Sequence, residues 1–217
     1  LYRNKAASMK LYGHPLSGNS HRVSAMLSIL GVEHENIIVN LPSGEHKQPD
    51  FLAMNPLGQV PVLVDGDLTL RDSTAILTYL VRKFDTTNRW LPTDAVGNAR
   101  VQEWLSTAVN EIMQGPFIVR AIKLFGVPAE LGPVHAKTDA LFTDLFEPHL
   151  TDRNWLAGDQ ATLADIACYG YIARVTDGDY SLDAYPAINA WLKRVEAIEG
   201  FAPMVVGAAF FASLKSA

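Results

Sequence analysis

The hydrophobic positions of the first half of the chain change between two periods. MKLYG (residues 9 to 13) and HENIIVN each predict a strand, and between them apolar residues recur at helical spacing over residues 23 to 30. VPVLVDGDLTL predicts two strands joined at Asp65-Gly66, a dipeptide typical of a type I′ hairpin, and a helix follows over residues 76 to 84. This order favours an α/β domain, a mixed sheet with helices packed on it, over residues 9 to 86.

From about residue 93 the strand signals stop and apolar stripes at helical spacing take their place, which predicts an all-helical domain over residues 93 to 217. The polar, proline-containing segment 87 to 92 is interpreted as a linker, with Thr93 or Asp94 capping the next helix. Residues 1 to 8 precede Met9 and are interpreted as leader or vector-derived residues. The apolar stripes of the predicted helical domain form three groups: Val101, Trp104, Leu105, Ala108, Val109, Ile112 and Met113; Leu141, Leu145 and Phe146; and Ile188, Trp191, Leu192 and Val195.

Composition narrows the class of protein. The 217 residues are 48% hydrophobic and 19% charged, with a formal net charge of -5, which is typical of a globular protein and argues against a nucleic-acid or anionic-membrane surface. No segment has the ~20 consecutive apolar residues of a membrane span. The single cysteine, Cys168, excludes an internal disulfide, fits a cytoplasmic protein and lies in an apolar helical run, where a buried structural thiol is expected.

The turn GHPLSGNSHRV (residues 13 to 23) carries more polar residues than a strand-to-helix turn needs. A helix beginning near His21 requires one cap, which Asn19 or Ser20 can supply. Ser17 is then left free to donate a hydrogen bond to a ligand.

Two further segments each allow a structural or a functional interpretation. Pro61 removes a ladder donor from a strand, so it either opens the strand or marks an edge where the Val60 backbone can pair with a ligand. Asp72 and Ser73 either cap the next helix or hold the amino-acid end of a ligand at its N-terminus.

The remaining polar groups are weaker candidates. His46 and Lys47 are ordinary loop residues unless they face the same cleft as Gln59. The six histidines lack the spacing of metal ligands, so no metal site is expected. Thr162-Leu163-Ala164-Asp165 predicts a structural capping box.

Taken together, the chain from Met9 resembles the cytosolic glutathione S-transferases, and within them the phi class and its bacterial relatives. The segment GEHKQPDFLAMNPLGQVPVLVDGDLTLRDSTAILTYL is similar to the family's glutathione-binding segment, and Thr162 to Asp165 is similar to its folding motif. The resemblance implies a thioredoxin-like N-terminal domain, a helical C-terminal domain, a cytoplasmic homodimer, and glutathione as co-substrate with no other cofactor.

The resemblance also assigns roles. Pro61 would be cis, so that Val60 pairs with the cysteinyl unit of glutathione. Asp72 and Ser73 would hold the γ-glutamyl end, and His46 and Lys47 the glycine carboxylate, with Gln59 between the two ends. The phi-class serine corresponds to Ser17, but the following GNS departs from the phi sequence, so Asn19 could assist or replace it.

These roles predict a glutathione transferase, in which a serine hydroxyl and a helix N-terminus lower the thiol pKa by roughly one to two units. The alternatives are a glutathione-dependent disulfide reductase or peroxidase and a non-catalytic glutathione-binding module. A pocket for a hydrophobic electrophile is expected between Leu16 and the long helices, with Phe117 and Arg120. Phe210 and Phe211 near the end of the chain are further candidates for its wall.

Overall fold

The N-terminal part of the protein is built on a four-stranded mixed sheet. The computed structural model describes residues 9–216, so the interpretation of residues 1 to 8 lies outside the described residues. The strand order is β2-β1-β3-β4, with β1 parallel to β2 and antiparallel to β3. The four strands are β1 (Met9–Gly13), β2 (His34–Ile38), β3 (Val62–Asp65) and β4 (Leu68–Leu70). This is a thioredoxin-like arrangement, and it confirms the predicted mixed sheet.

The hairpin between β3 and β4 differs from the predicted turn. Asp65 pairs with Leu68, so Gly66 and Asp67 are the two turn residues. Gly66 has a φ of 60°, and Asp67 is not among the described residues with positive φ, which is the pattern of a type II′ turn. The predicted type I′ turn is wrong because Asp65 belongs to the strand, where its carboxylate accepts from the Tyr79 hydroxyl and from Lys83.

Three helices pack against this sheet or connect its strands. They are α1 (Gly18–Ile29), α2 (Pro49–Met54) and α3 (Ser73–Phe84), with a short 3₁₀ turn over Glu45–Lys47 before α2. The first of them begins earlier than predicted, at Gly18 rather than near His21. Apolar periodicity starts only at Val23, because the preceding turn is buried through small and polar residues.

The rest of the described chain is helical, as predicted. Its helices are α4 (Ala95–Val109), α5 (Glu111–Gln114), α6 (Pro116–Phe125), α7 (Leu131–Ala140), α8 (Glu147–Thr151), α9 (Leu163–Ala173), α10 (Pro186–Glu196) and α11 (Gly207–Lys215). A π-helical segment over Leu141–Phe146 joins α7 to α8, and a 3₁₀ turn over Val175–Gly178 follows α9.

Two of the predicted apolar stripes are interrupted. Asn110 has φ −112° and ψ −85°, which ends α4 and starts α5 in a new direction. The π-helical winding likewise changes the helical period. As a result Val109 is 41% and Leu145 38% exposed, and neither lies in the core as expected.

The central helix of the C-terminal half is α9, in which every residue is buried. The predicted capping box is confirmed, with Thr162 capping the helix and Asp165 accepting from the Thr162 N–H. Burial raises the pKa of the Asp165 carboxyl to about 6, and hydrogen bonds from Thr162, Trp191 and Leu156 oppose that shift.

The connection between the two halves is tightly packed. Within residues 87 to 92, Trp90 and Leu91 are buried, and the Trp90 carbonyl accepts from the Leu163 N–H. Asp94 caps α4 through the Gly97 N–H, as predicted. None of the helices in residues 9–216 is long and apolar enough to cross a membrane.

Candidate functional site

A cleft of about 600 Å³ lies between the sheet half and the helical half. The nine residues that the sequence nominated for catalysis and glutathione binding all line it: Ser17, Asn19, His46, Lys47, Gln59, Val60, Pro61, Asp72 and Ser73. They come from the turn before α1, the segment before α2, the approach to β3 and the start of α3. The fold therefore brings together residues separated by more than fifty positions in the chain.

Ser17 has a different structural role from the one predicted. It is the N-cap of α1, with an extended backbone, and its Oγ accepts from the Ser20 N–H at 3.1 Å. The expectation that Ser17 lies outside the helix cap is wrong. An oxygen that accepts one bond still carries a hydrogen, and no residue of the described chain accepts it. Ser17 can therefore cap the helix and donate into the cleft at the same time.

Asn19 or Ser20 was expected to cap α1, and neither does. Ser20 has another role. Its Oγ lies on the other side of the turn and accepts from the His14 N–H at 3.2 Å. Gly18 between them is required by close packing, because a Cβ there would lie 2.8 Å from the Tyr171 ring on α9. The first turn of α1 is thus held from both sides, which fixes the direction of the Ser17 side chain.

Asn19 lies beside Ser17 on the same cleft. Its Oδ1 is buried and has no hydrogen-bond partner among the described residues. A buried amide oxygen without a partner is costly unless a ligand or water supplies a donor. The structure therefore keeps both side chains of the turn available to a ligand.

The backbone of Val60 lines the cleft at a bend just before β3. The Val60-Pro61 peptide bond is cis, as the resemblance implied. The hydrogen bonds of the described residues include none to the Val60 N–H or C=O. An extended ligand can accordingly pair with this backbone in the manner of an added strand.

Asp72 and Ser73 form the entrance of α3. The Asp72 Oδ1 accepts from the N–H groups of Thr74 and Ala75, each at 2.9 Å, so the residue is the helix cap. Burial raises the pKa of the Asp72 carboxyl, but these bonds, one from the Thr74 hydroxyl and the charge of Arg22 together hold it below its usual value. Asp72 is therefore an anion at neutral pH, and its second oxygen can take a ligand ammonium.

The cleft also contains a cationic side chain. The Lys47 ammonium donates to the carbonyls of Leu57 and Gly58, at 3.2 and 3.0 Å, which anchors it beside Gln59. Burial and the neighbouring Lys47 lower the pKa of the His46 imidazole, and its buried Nδ1 has no partner in the described structure. Anionic Asp72 and cationic Lys47 in one cleft suit a peptide that carries both an ammonium and a carboxylate.

An apolar wall from the helical half faces these polar groups. It consists of Val109, Met113, Phe117 and Tyr171, and the rings of Phe117 and Tyr171 meet edge to face at 5.0 Å. Sequence reasoning nominated Phe117, placed Val109 and Met113 in an apolar stripe of the core, and did not single out Tyr171. The four-residue spacing of 109, 113 and 117 was the available signal, although it does not show which way the face points.

Four other candidates for this wall lie elsewhere. Leu16 is 3% exposed, and Arg120 is fully buried, donating to the Leu16 carbonyl and pairing with Asp177. Neither residue lines the cleft, because Leu16 is packed in the core and Asp177 holds the Arg120 guanidinium in the interior. Phe210 packs on His14 with ring centroids 5.6 Å apart, and neither it nor Phe211 lines the cleft.

Beyond the apolar wall, three residues that line the cleft were missed by the sequence reasoning, Leu41, Gly58 and Arg71. Within residues 9–216 no cluster of three or more His, Cys, Asp or Glu side chains could hold a metal ion. The cleft combines the hydroxyls of Ser17 and Ser73 and the amides of Asn19 and Gln59 with an apolar wall.

A thioredoxin-like domain with a cis proline immediately before β3, followed by a helical domain, is typical of a class of proteins that bind a thiol-containing peptide. The comparisons with known proteins identify the family. Residues 7–82 match the family model "Glutathione S-transferase, N-terminal domain", and residues 135–199 match "Glutathione S-transferase, C-terminal domain". The chain belongs to the glutathione S-transferase family.

Individual relatives are similar to this protein over most of its length. Glutathione S-transferase 3 of Zea mays is 36% identical over 90% of this chain and 92% of its own. Glutathione S-transferase theta-2 of Homo sapiens is 35% identical over 78% of this chain and 73% of its own. A glutathione transferase homolog from Drosophila mojavensis, solved with bound glutathione, superposes with a TM-score of 0.85 at 29% identity, covering 96% of this chain and 97% of that one.

Proposed function

We propose that this protein catalyses the attack of the glutathione thiolate on a hydrophobic electrophile. The observation that carries the proposal is the Ser17 hydroxyl, which faces the cleft with its oxygen held by the Ser20 N–H and its hydrogen free. A thiol must lose its proton to be a good nucleophile. A hydroxyl in this position donates a stronger hydrogen bond to the charged thiolate than to the neutral thiol sulfur, so it favours the ionised form of glutathione.

The rest of the cleft positions the tripeptide. Asp72 takes the γ-glutamyl ammonium, and the N–H and hydroxyl of Ser73 take the adjacent carboxylate. The Val60 backbone pairs with the cysteinyl unit, with Pro61 shaping that edge, and His46, Lys47 and Gln59 bind the glycine end. The sulfur then lies against Ser17 and Asn19 at the N-terminus of α1, where the helix dipole also favours negative charge.

The electrophile binds over the sulfur, against Val109, Met113, Phe117 and Tyr171. In a conjugation with an aryl chloride, the carbon–sulfur bond forms, the carbon–chlorine bond breaks, and chloride leaves with the electron pair. The thiol proton passes to solvent before the attack. The reaction needs no metal and no protein nucleophile.

We also propose a homodimer. An apolar groove of about 480 Å³ runs between β4, α3 and α4, lined by Leu68, Leu70, Tyr79 and Leu105 among others. Leu68 at its edge is 38% exposed. Exposed apolar surface of this kind is typical of an interface between subunits. Light scattering at micromolar protein should give twice the mass of one chain, and a monomer would contradict the proposal.

We also propose that residues 9 to 86 form the glutathione-binding domain, residues 87 to 92 the linker and residues 93 to 217 the helical domain with the electrophile site. We further propose that the protein is cytoplasmic.

Cys168 is fully buried, and burial strongly raises the pKa of its thiol. The protein's one cysteine is therefore not placed to form a mixed disulfide with glutathione. This supports a mechanism that acts on the thiol of glutathione itself.

The direct test is a conjugation assay with glutathione and 1-chloro-2,4-dinitrobenzene, beside disulfide-reduction and peroxide-reduction assays under the same conditions. We expect the conjugation rate to exceed the uncatalysed rate, and glutathione to bind in a calorimetric titration. Binding without any of the three activities would support a non-catalytic module instead. Reduction without conjugation would support the reductase or peroxidase alternative.

A further inference from the structure

A second cavity, of about 500 Å³, lies on the other side of α1 from the glutathione cleft. We call it the histidine pocket because His14, His21 and His34 all line it. It shares no lining residue with the cleft. The first turn of α1 separates the two, with Ser17 and Asn19 facing the cleft and Ser20 and His21 facing the histidine pocket.

Hydrogen bonding fixes the tautomer of His21. Its Nε2 lies 2.7 Å from the Ala202 carbonyl oxygen, and because a carbonyl can only accept, Nε2 carries the hydrogen. Nδ1 is then a bare acceptor, and it is buried with no partner among the described residues. Burial lowers the pKa of His21 to about 4, so the ring is neutral near pH 7. The residue is only 9% exposed, and a buried nitrogen acceptor without a hydrogen bond is destabilising.

His34, at the start of β2, offers a second acceptor in the same cavity. Its Nδ1 lies 2.9 Å from the Val32 carbonyl oxygen and therefore carries the hydrogen. Its Nε2 is buried and likewise has no partner within the described chain. Two imidazoles on different elements thus present lone pairs rather than N–H groups.

The neighbouring hydroxyls do not satisfy these nitrogens. The Ser24 hydroxyl donates to the His21 carbonyl at 3.0 Å, and the Ser28 hydroxyl donates to the Gly200 carbonyl at 2.6 Å. Both hydrogens are therefore committed to backbone oxygens. The other polar side chains that line the pocket, His14, Ser20 and Asn36, form no hydrogen bond with either nitrogen. A molecule that enters the pocket with a donor of its own can supply the missing bond.

The remaining lining defines the rest of that molecule. Leu11, Ile37, Ile38 and Val205 give the pocket an apolar wall, and Ile38 is 66% and Val205 41% exposed at the rim. Among residues 9–216, no aspartate, glutamate, lysine or arginine lines it. A charged ligand such as glutathione or its conjugates therefore finds no counter-charge here, while a neutral aromatic ring does find apolar contacts.

We propose that the histidine pocket binds a neutral aromatic molecule carrying an O–H or N–H donor, such as a phenol or an indole, through the Nδ1 of His21. His34 Nε2 provides the partner for a second donor. The volume lies within the usual range for small-molecule pockets, roughly 300–1,000 Å³. The site shares no lining residue with the cleft, so its occupation does not depend on the transferase activity.

A matched pair of ligands tests the hydrogen bond. The probes are 2-naphthol and 2-methoxynaphthalene, titrated into the protein with saturating S-hexylglutathione so that the cleft is occupied. We expect one equivalent of 2-naphthol to bind about tenfold more tightly than its methyl ether, the usual effect of one hydrogen bond to a buried acceptor. Equal affinities, or no binding of 2-naphthol because water fills the cavity, would overturn the proposal.

Variants and spectroscopy locate the site. His21→Leu should abolish the preference for 2-naphthol, whereas His135→Leu should keep it, because the unpartnered Nε2 of His135 lies on α7 outside the pocket. If His21→Leu does not fold, the ¹⁵N resonance of His21 Nδ1 in the parent protein decides. It should shift with 2-naphthol and not with the methyl ether, and an unchanged resonance would refute the assignment.

Discussion

The Nη1 of Arg120 donates to the carbonyl oxygen of Leu16 at 2.7 Å, while its Nε is paired with Asp177 at 2.8 Å. Both side chains of this ion pair are almost completely buried. The pair therefore ties α6 and the turn after α9 to the residue immediately before Ser17. Asp177 also accepts from the Gly207 N–H, so the start of α11 belongs to the same network.

This network predicts that Arg120→Met disturbs the Ser17 turn without touching the cleft. Removing one partner of a buried pair costs about 3–5 kcal/mol, because Asp177 is left buried and unpaired. We also expect a higher pKa of the bound glutathione thiol and a lower kcat, since the Leu16 carbonyl is no longer held. Chemical unfolding and the ultraviolet absorbance of the bound thiolate against pH measure the two effects.

The control for Arg120 is Lys123→Ala on the same helix. Lys123 pairs with Asp179 at the exposed surface, where such pairs contribute little. Both stability and thiol pKa should stay close to those of the parent. A folded Arg120→Met protein with an unchanged thiol pKa would show that the network does not position Ser17.

Ser17 combines two roles that substitutions can separate. Ser17→Ala should cost about 1 kcal/mol of stability as a lost helix cap and raise the thiol pKa by roughly one to two units. Turnover at neutral pH should fall and partly recover at higher pH. Ser17→Asp keeps a capping oxygen but has no hydroxyl donor, so it should retain stability and still raise the thiol pKa.

Asn19→Ala decides between the two candidates for the sulfur. We expect a smaller rise of the thiol pKa than in Ser17→Ala. If Asn19→Ala abolishes thiolate formation and Ser17→Ala does not, then the Asn19 amide activates the sulfur and the serine assignment is wrong. Ser20→Ala is the matched control, since its Oγ bonds to the His14 N–H and faces away from the cleft.

Asp72 likewise serves as both helix cap and ligand anchor. Asparagine caps helices about as well as aspartate, so Asp72→Asn should leave the unfolding free energy nearly unchanged. The loss of the counter-charge should weaken glutathione binding by about tenfold or more, the usual value of a bond between charged groups. Calorimetric titration measures this, and equal affinity in variant and parent would place the ammonium elsewhere.

His21 predicts how stability depends on pH. Its folded pKa is about 4, against an ordinary value of 6.5, so between these pH values the unfolded chain binds more protons than the folded one. Stability should therefore fall as the pH drops from 6.5 to 4, by about 3 kcal/mol from this residue. His21→Gln does not titrate there, and unfolding of both proteins at pH 7 and pH 4.5 should show a shallower decline for the variant. Equal declines would contradict the assignment.

Much of the fold could be predicted because its signals are local. Strand and helix periods, the capping box at Thr162 and the cap at Asp94 depend on neighbours a few residues away. The start of α1 could not be predicted in this way. Its first turn packs through Gly18 against Tyr171 of α9, and nothing within residues 13 to 23 indicates that contact.

The candidate site likewise has a part that local sequence signals predicted and a part that they did not. The sequence alone nominated its polar groups, from Ser17 to Ser73: turn and helix-start chemistry singled out some of them, and the family resemblance supplied the rest. Only the tertiary structure decided its apolar wall. Val109 lines the cleft where α4 ends at Asn110. Arg120 does not line it, because Asp177, 57 residues away in the chain, pairs with its guanidinium in the interior. Apolar periodicity shows that a face is buried, but which partner buries it depends on contacts between distant parts of the chain.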